Sequence, residues 1–367
     1  AIKGKALPKN LGNEIARLCT IRGIRYHAAF AQSDAVAALS RETTQTHPEF
    51  ARACNARIIM SNTVPALGEP DTYPYCIWHP KIATEATYRE LASRYPDMRY
   101  QVGRACAAAG YSALYAELDL LPDVSIAEEA REGPAESKPI FEAIMNQPTK
   151  YAVMNDWART VDPTGAKPGA YLNGDTMVRA TLEYKQQHHA GLYDPGSFRN
   201  KHKRYANITE DWSIDDRTSP EREVVLTDDE IALLYSPLPP DLPTLNKDLL
   251  ILMAAYTGNI DRYVRLRRPQ MIRAEYHCII RGIYHSTTFA KWYSTRPLAL
   301  EGPDARGIRT AINARFVMCN DLTSVLKAPD EELPYLIWYP HSPKRDSLKE
   351  LAEKRPEMIH QVARTCI

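Results

Sequence analysis

The sequence predicts an all-α protein, an α-solenoid of helix–turn–helix units with long irregular loops. Three observations point there. A long segment recurs within the chain; inside it a short apolar helix, a glycine and a second apolar helix return repeatedly; and Pro-, Gly- and Asn-rich stretches fall between these units.

The recurrence is read block by block. CTIRGIRYHAAFA, from Cys19 to Ala31, returns as CIIRGIYHSTTFA, from Cys278 to Ala290. NARIIMSN at Asn55–Asn62 faces NARFVMCN at Asn313–Asn320, and YPYCIWHP faces LPYLIWYP. TYRELASRYPDMRYQVGRAC, from Thr87 to Cys106, faces SLKELAEKRPEMIHQVARTC, from Ser347 to Cys366. The order is kept throughout and the offset stays near 259 residues, so chance is excluded. The second copy stops at Ile367 inside a helical pattern, and the first residues, AIKGKALPKN, carry no apolar leader core; the sequence therefore reads as cut from a longer protein.

The smaller unit appears at Cys19–Gly23, Cys106–Gly110, Ala254–Gly258 and Cys278–Gly282, with a degenerate case whose turn is Gly133. A small side chain lets a neighbouring helix approach, and a glycine accepts the positive φ that ends a helix, so each is expected to be helix, glycine turn, helix. The fullest instance, DLLILMAAYTGNIDRYVRL from Asp248 to Leu266, resembles an ankyrin repeat through Leu250, Met253-Ala254-Ala255, Gly258-Asn259 and Val264-x-Leu266. That family's Thr-Pro-Leu-His opening and Gly-Ala-Asp close are absent here, and the spacing of units is irregular. The resemblance implies an α-solenoid that binds other proteins on its concave face and loops.

These elements give a first helical array over 11–160, a loop-rich connector with one helix over 161–245, and a second, truncated array over 246–367. The connector helix is expected at about 176–188, and 190–247, with YSPLPPDLPTL, reads as an extended connector or a partly disordered insertion. YPYCIWHP and LPYLIWYP have proline at both sides of an aromatic segment, so each is a loop anchored by Trp78 or Trp338.

Composition narrows the function. Forty-six Lys and Arg against forty-five Asp and Glu leave a net charge of +1, which gives no global field for nucleic acid or an anionic membrane. No apolar run approaches the roughly 18 residues that span a bilayer. Seven cysteines without a C-x-x-C pair suit an intracellular protein, cytoplasmic or nuclear, with reduced and mostly buried thiols. No phosphate loop, dinucleotide fingerprint, zinc-protease helix or serine-nucleophile elbow occurs, so no cofactor, metal or catalytic residue is expected. His27 aligns with Ser286 and His285 with Tyr26, so the histidines share no position across the copies, and His188-His189 read as solvent-facing.

The function expected is protein binding on a scaffold, with a protein partner rather than a membrane or nucleic acid. Candidate binding residues are the matched Arg22, Arg57, Tyr75 and Trp78 and their counterparts Arg281, Arg315, Tyr335 and Trp338, because Arg, Tyr and Trp dominate interface hot spots. The matched arginines, Arg104 and Arg364 included, have a structural reading too, in which they tie helix ends together. Two alternatives stand beside the scaffold. One is an enzyme built on the LNGDT loop around Asp175; the other is nucleic-acid binding through Lys201–Arg204, whose charge is offset by the acidic residues that follow.

Overall fold

The computed structural model describes residues 1–156, 158–174, 227–243, 245, 247–268, 271–272, 274–296 and 302–367. It is mostly helical and divides into two compact units, 1–220 with 239–244, and 221–238 with 245–367. Asp175, the helix expected at 176–188, His188-His189 and Lys201–Arg204 lie outside the described residues.

Unit 1 begins with α1 (Glu14–Tyr26), α2 (Ala28–Ala31), α3 (Asp34–Glu42) and α4 (Glu49–Ile59). Ser33 caps α3 by accepting from the Val36 N–H, and Val36 and Leu39 then bury beside Phe30, Phe50, Ile21 and Ile24. The aromatic loop leads to α5 (Glu85–Arg94), capped by Thr84, then α6 (Arg99–Ala109), α7 (Ser112–Glu117), α8 (Val124–Arg131) and α9 (Lys138–Met145). Gly110 ends α6 at φ 81°, a left-handed cap of the kind the sequence predicts. Ile126, Ala127 and Ala130 bury with Val102, Ala105, Ile140 and Ile144 in a core shared by α6, α8 and α9.

The fold is not purely helical, because 151–168 forms two short antiparallel ladders. β1 (Tyr151–Ala152) pairs with β4 (Lys167–Pro168), and β2 (Met154–Asn155) with β3 (Thr160–Val161). Individually these strands are too short for sequence alternation to reveal; their pairing depends on α8, whose N-cap residue receives the β-chain N–H groups.

Unit 2 contains α10 (Asp228–Tyr235), a helix inside the stretch expected to be extended. Its last-turn carbonyls are taken up by Arg262, which donates to Leu233 and, at 2.7 Å, to Ser236, a tertiary contact that local composition does not announce. Next come α11 (Asp248–Thr257), α12 (Ile260–Leu266), α13 (Glu275–His285), α14 (Thr287–Ser294) and α15 (Gly302–Met318), and after the second aromatic loop α16 (Arg345–Lys354) and α17 (Ile359–Thr365). Gly258, at φ 68°, closes α11, and Asn259 caps α12.

Two glycines expected at turns are inside helices. α1 continues through Gly23 to Tyr26, and α13 through Gly282 to His285. At Gly282 a Cβ would lie 2.0 Å from the Ala255 carbonyl oxygen, so the glycine serves the close crossing of α11 and α13 and not a turn. The helix breaks come later, at His27 and Ser286. All seven cysteines are free, in line with the reduced thiols expected, but only Cys76 and Cys106 are buried where most were expected to be. Among the described residues no helix is long and apolar enough to cross a membrane.

Matched residues of the two copies make matched bonds. Arg57 donates to the carbonyl of Arg25, and Arg315 to that of Tyr284, the aligned position. Asn55 and Asn313 donate to Thr72 and Glu332, while Asn62 and Asn320 accept from Thr84 and Lys344. One contact is preserved with its partners exchanged. Tyr26 meets His79 edge-on at 6.1 Å, and His285 meets Tyr339 at 5.6 Å, so the histidines that fail to align in sequence occupy opposite sides of one contact. Tyr26→His and His79→Tyr are each expected to lose about 0.5–1.5 kcal/mol, with the double exchange recovering most of it. A denaturant double-mutant cycle showing simple additivity would remove that account.

Candidate functional site

α8 presents three buried acidic residues to three different partners. Asp123, at its N-cap, is fully buried and accepts from four backbone N–H groups: Ser125 and Ile126 on one oxygen, Val153 and Met154 on the other, at 2.8–3.1 Å. Glu128 accepts from the N–H groups of Asn173 and Gly174, which pins the loop leading to Asp175 against the helix. Glu129 meets Arg104.

Arg104 is the centre of the cluster. It is wholly buried on α6, donates through Nε to Glu129 at 3.0 Å, and grips Asp156 with both Nη atoms at 2.5 and 3.2 Å. Its guanidinium lies 4.9 Å from the Trp78 ring centre, and the Tyr75 hydroxyl donates to the same Asp156 oxygen that Nη1 reaches. Arg fits this place because its planar fork serves two carboxylates in its plane while an aromatic face covers it.

Burial sets the proton inventory. It works against the charge on Arg104, but Asp156 and Glu129 outweigh it and hold the guanidinium protonated. Burial pushes Glu129 up to about 7 against the pull of Arg104, and pushes Asp123 up to about 6 against the N–H groups it accepts.

The linkage has a definite sign. The folded chain keeps a proton on Glu129 that the unfolded chain, near 4.5, releases, so this stability is present below about 4.5 and is lost as pH rises through about 7. Asp123 acts in the same direction at lower pH. Thermal unfolding followed across this range should show the parent losing stability toward alkaline pH and Glu129→Gln flattening the slope. Superimposable slopes would place the proton elsewhere.

The eight residues singled out by sequence divide by exposure. Arg57, Tyr75, Trp78 and Arg315 are buried. Arg57 and Arg315 tie helix ends as described, and Tyr75 and Trp78 pack on the Arg104 cluster, so these four hold their units together and form no open binding face. Arg22 is half-buried and lies over Tyr26 on its own helix, 5.1 Å from the ring centre. Arg281 lies over Tyr256, at 3.9 Å, and donates to its carbonyl. Tyr335 is 62 % exposed, and Trp338, half-buried, meets it edge-on at 5.8 Å.

In unit 2 Arg281 has neighbours that reach the surface, and Tyr256 and Tyr339 are exposed. Arg281 bears on His285, whose basicity burial lowers first and Arg281, Arg315 and His341 lower further, and His285 touches Tyr339. Tyr256, Arg281, His285 and Tyr339 therefore form a linked aromatic and cationic strip.

Sequence reasoning did not find Asp123, Glu129, Asp156 or Arg25. Arg25 is buried and donates to the carbonyls of Cys76 and His79 in the aromatic loop, but its aligned residue is Tyr284, so a search for matched arginines passes over it. A usable signal existed for Glu129: with Glu128 it lies among Ile126, Ala127 and Ala130, where carboxylates on an otherwise apolar helix call for a buried cation or N–H donors. Among the described residues no group of three or more His, Cys, Asp or Glu is gathered as a metal site.

No curated protein and no solved structure matches the chain. Residues 78–179, the stretch holding Trp78, Arg104, Asp123, Glu129 and Asp156, are similar to a protein family described as the YKP1 C-terminal domain.

Proposed function

We propose that the chain is an intracellular protein-binding scaffold built from ankyrin-like helix pairs. The observation that carries this is the strip Tyr256–Arg281–His285–Tyr339, where exposed Tyr256 lies under an arginine fixed by stacking and a backbone bond and, one turn along the same helix, His285 meets exposed Tyr339. Pre-set Arg and Tyr side chains lose little freedom on binding, which is why they anchor protein interfaces. The repeat reading draws support from α11, Gly258 and α12, from Gly110 between α6 and α7, and from the packing of α11 on α13 and α13 on α15.

The test is capture by the full chain in proximity labelling, beside Arg281→Glu and Tyr339→Ala variants whose circular dichroism matches the parent. Both side chains reach the surface, so neither change should unfold the unit. A partner captured reproducibly by the parent and lost by both variants is the expected result. Nothing captured, or a partner retained by both, would overturn the reading.

A further inference from the structure

We propose that the end of α13 and the second aromatic loop form a site for a phosphorylated side chain of a protein partner, held by Arg281, His285, Arg315 and His341. Arg315 reaches from α15 to both sides of His285: its Nη1 donates to the Tyr284 carbonyl at 2.9 Å and its Nε to the Thr287 hydroxyl at 3.0 Å. Arg281 stands one turn earlier on the same helix, and Tyr339, two residues before His341, meets the His285 ring edge-on. These groups carry one sign. Burial lowers the basicity of His285 first, and the charges that lower it further are Arg281, Arg315 and His341. Among the described residues Arg281 and Arg315 bond to carbonyl and hydroxyl oxygens, and neither pairs with a carboxylate.

Cations gathered without an acid repel one another, and an anion that enters among them relieves that repulsion. Side chains able to swing into water would separate. These are held, Arg281 by stacking on Tyr256 and the bond to its carbonyl, and Arg315 by its two bonds. A carboxylate brings one charge and two oxygens. A phosphate monoester brings nearly two charges and three acceptor oxygens, enough to meet two guanidinium groups and an imidazole together. Exposed Asp330 and Glu331 precede the aromatic loop and disfavour a long polyanion such as a nucleic-acid strand. The face is uncovered in both copies. Unit 2 includes α11, which precedes it, and unit 1 includes α5 to α9, which follow the matched loop, yet Tyr26 and His79 are only half-buried and Lys81, aligned with His341, is exposed. What differs is the imidazole. In unit 1 Tyr26 stands in place of His285, with its hydroxyl 3.1 Å from Nε2 of His79, whereas among the described residues no hydrogen bond engages the His285 ring. The site is therefore assigned to unit 2.

This inference deepens the protein-binding reading and rests on it. The probe is a pool of labelled peptides of about nine residues with a central phosphoserine and random neighbours, titrated with the full chain and followed by anisotropy beside the same pool carrying serine. Expected are saturable binding at least about tenfold tighter than that of the serine pool, and a loss of about tenfold in an Arg281→Gln variant whose circular dichroism matches the parent. A bound dianion raises the basicity of His285, so binding takes up a proton. Affinity should then fall as pH rises from about 7 to 8, where the phosphate ester stays mostly dianionic, and His285→Gln should flatten that dependence. Equal binding of the two pools, no binding, indifference to Arg281→Gln, or a pH dependence unchanged in His285→Gln each overturns the proposal. So does displacement by inorganic phosphate at the same concentration as by unlabelled phosphopeptide, which would make the free ion the ligand. A partner captured in proximity labelling and still bound after phosphatase treatment would overturn this inference and leave the protein-binding reading standing.

Discussion

Arg104→Met should destabilise unit 1 by about 3–5 kcal/mol, the usual cost of removing one partner from a buried ion pair. Asp156 and Glu129 would remain inside the core, nearly without solvent, and Tyr75 would face a carboxylate no longer balanced by a cation. Glu129 can escape by binding a proton, since burial already holds it near 7, so the variant should unfold less readily at acidic pH. Urea titrations at two pH values test both parts. Replacing Arg104, Glu129 and Asp156 together by Met, Leu and Leu should restore most of the loss, because a dry apolar set has no charge to desolvate. Loss within about 1 kcal/mol for Arg104→Met alone would mean that water reaches the cluster and screens it.

Asp123→Asn is the second large effect, expected at about 3 kcal/mol, and it separates two views of the residue. If Asp123 were only a helix cap, asparagine would replace it at little cost, since both residues cap well. Here the second oxygen also accepts from Val153 and Met154. An amide cannot accept on both sides, so its NH2 would face two N–H donors in a buried site. Urea titration gives the loss in stability, and amide exchange at Val153 and Met154 should accelerate more than at Ser125 and Ile126. Equal protection at all four would show that the cap is the whole of its role.

The helical class, the two left-handed glycine caps at Gly110 and Gly258 and the matching of the copies depend on neighbours within a few residues or on identity along the chain. Sequence displays those directly. Gly23 and Gly282 misled the same reasoning because a glycine is equally suited to a turn and to a close helix crossing; only the position of the Ala255 carbonyl separates these for Gly282. The Tyr26–His79 and His285–Tyr339 pairs were hidden in a similar way, since exchange across a contact looks like loss of a residue when each strand of sequence is read alone.

By itself, then, the sequence determined that the chain is helical, that its copies fold alike, and that Arg, Tyr and Trp recur at fixed places. Tertiary structure alone decided which of those residues are core and which are surface. Tyr75 and Tyr335 hold matched positions in YPYCIWHP and LPYLIWYP, yet one is buried and the other open, because α8 and the β-hairpin bring Glu129 and Asp156 over the first. Burial is a property of what packs against a residue from elsewhere in the chain, and no local pattern contains it.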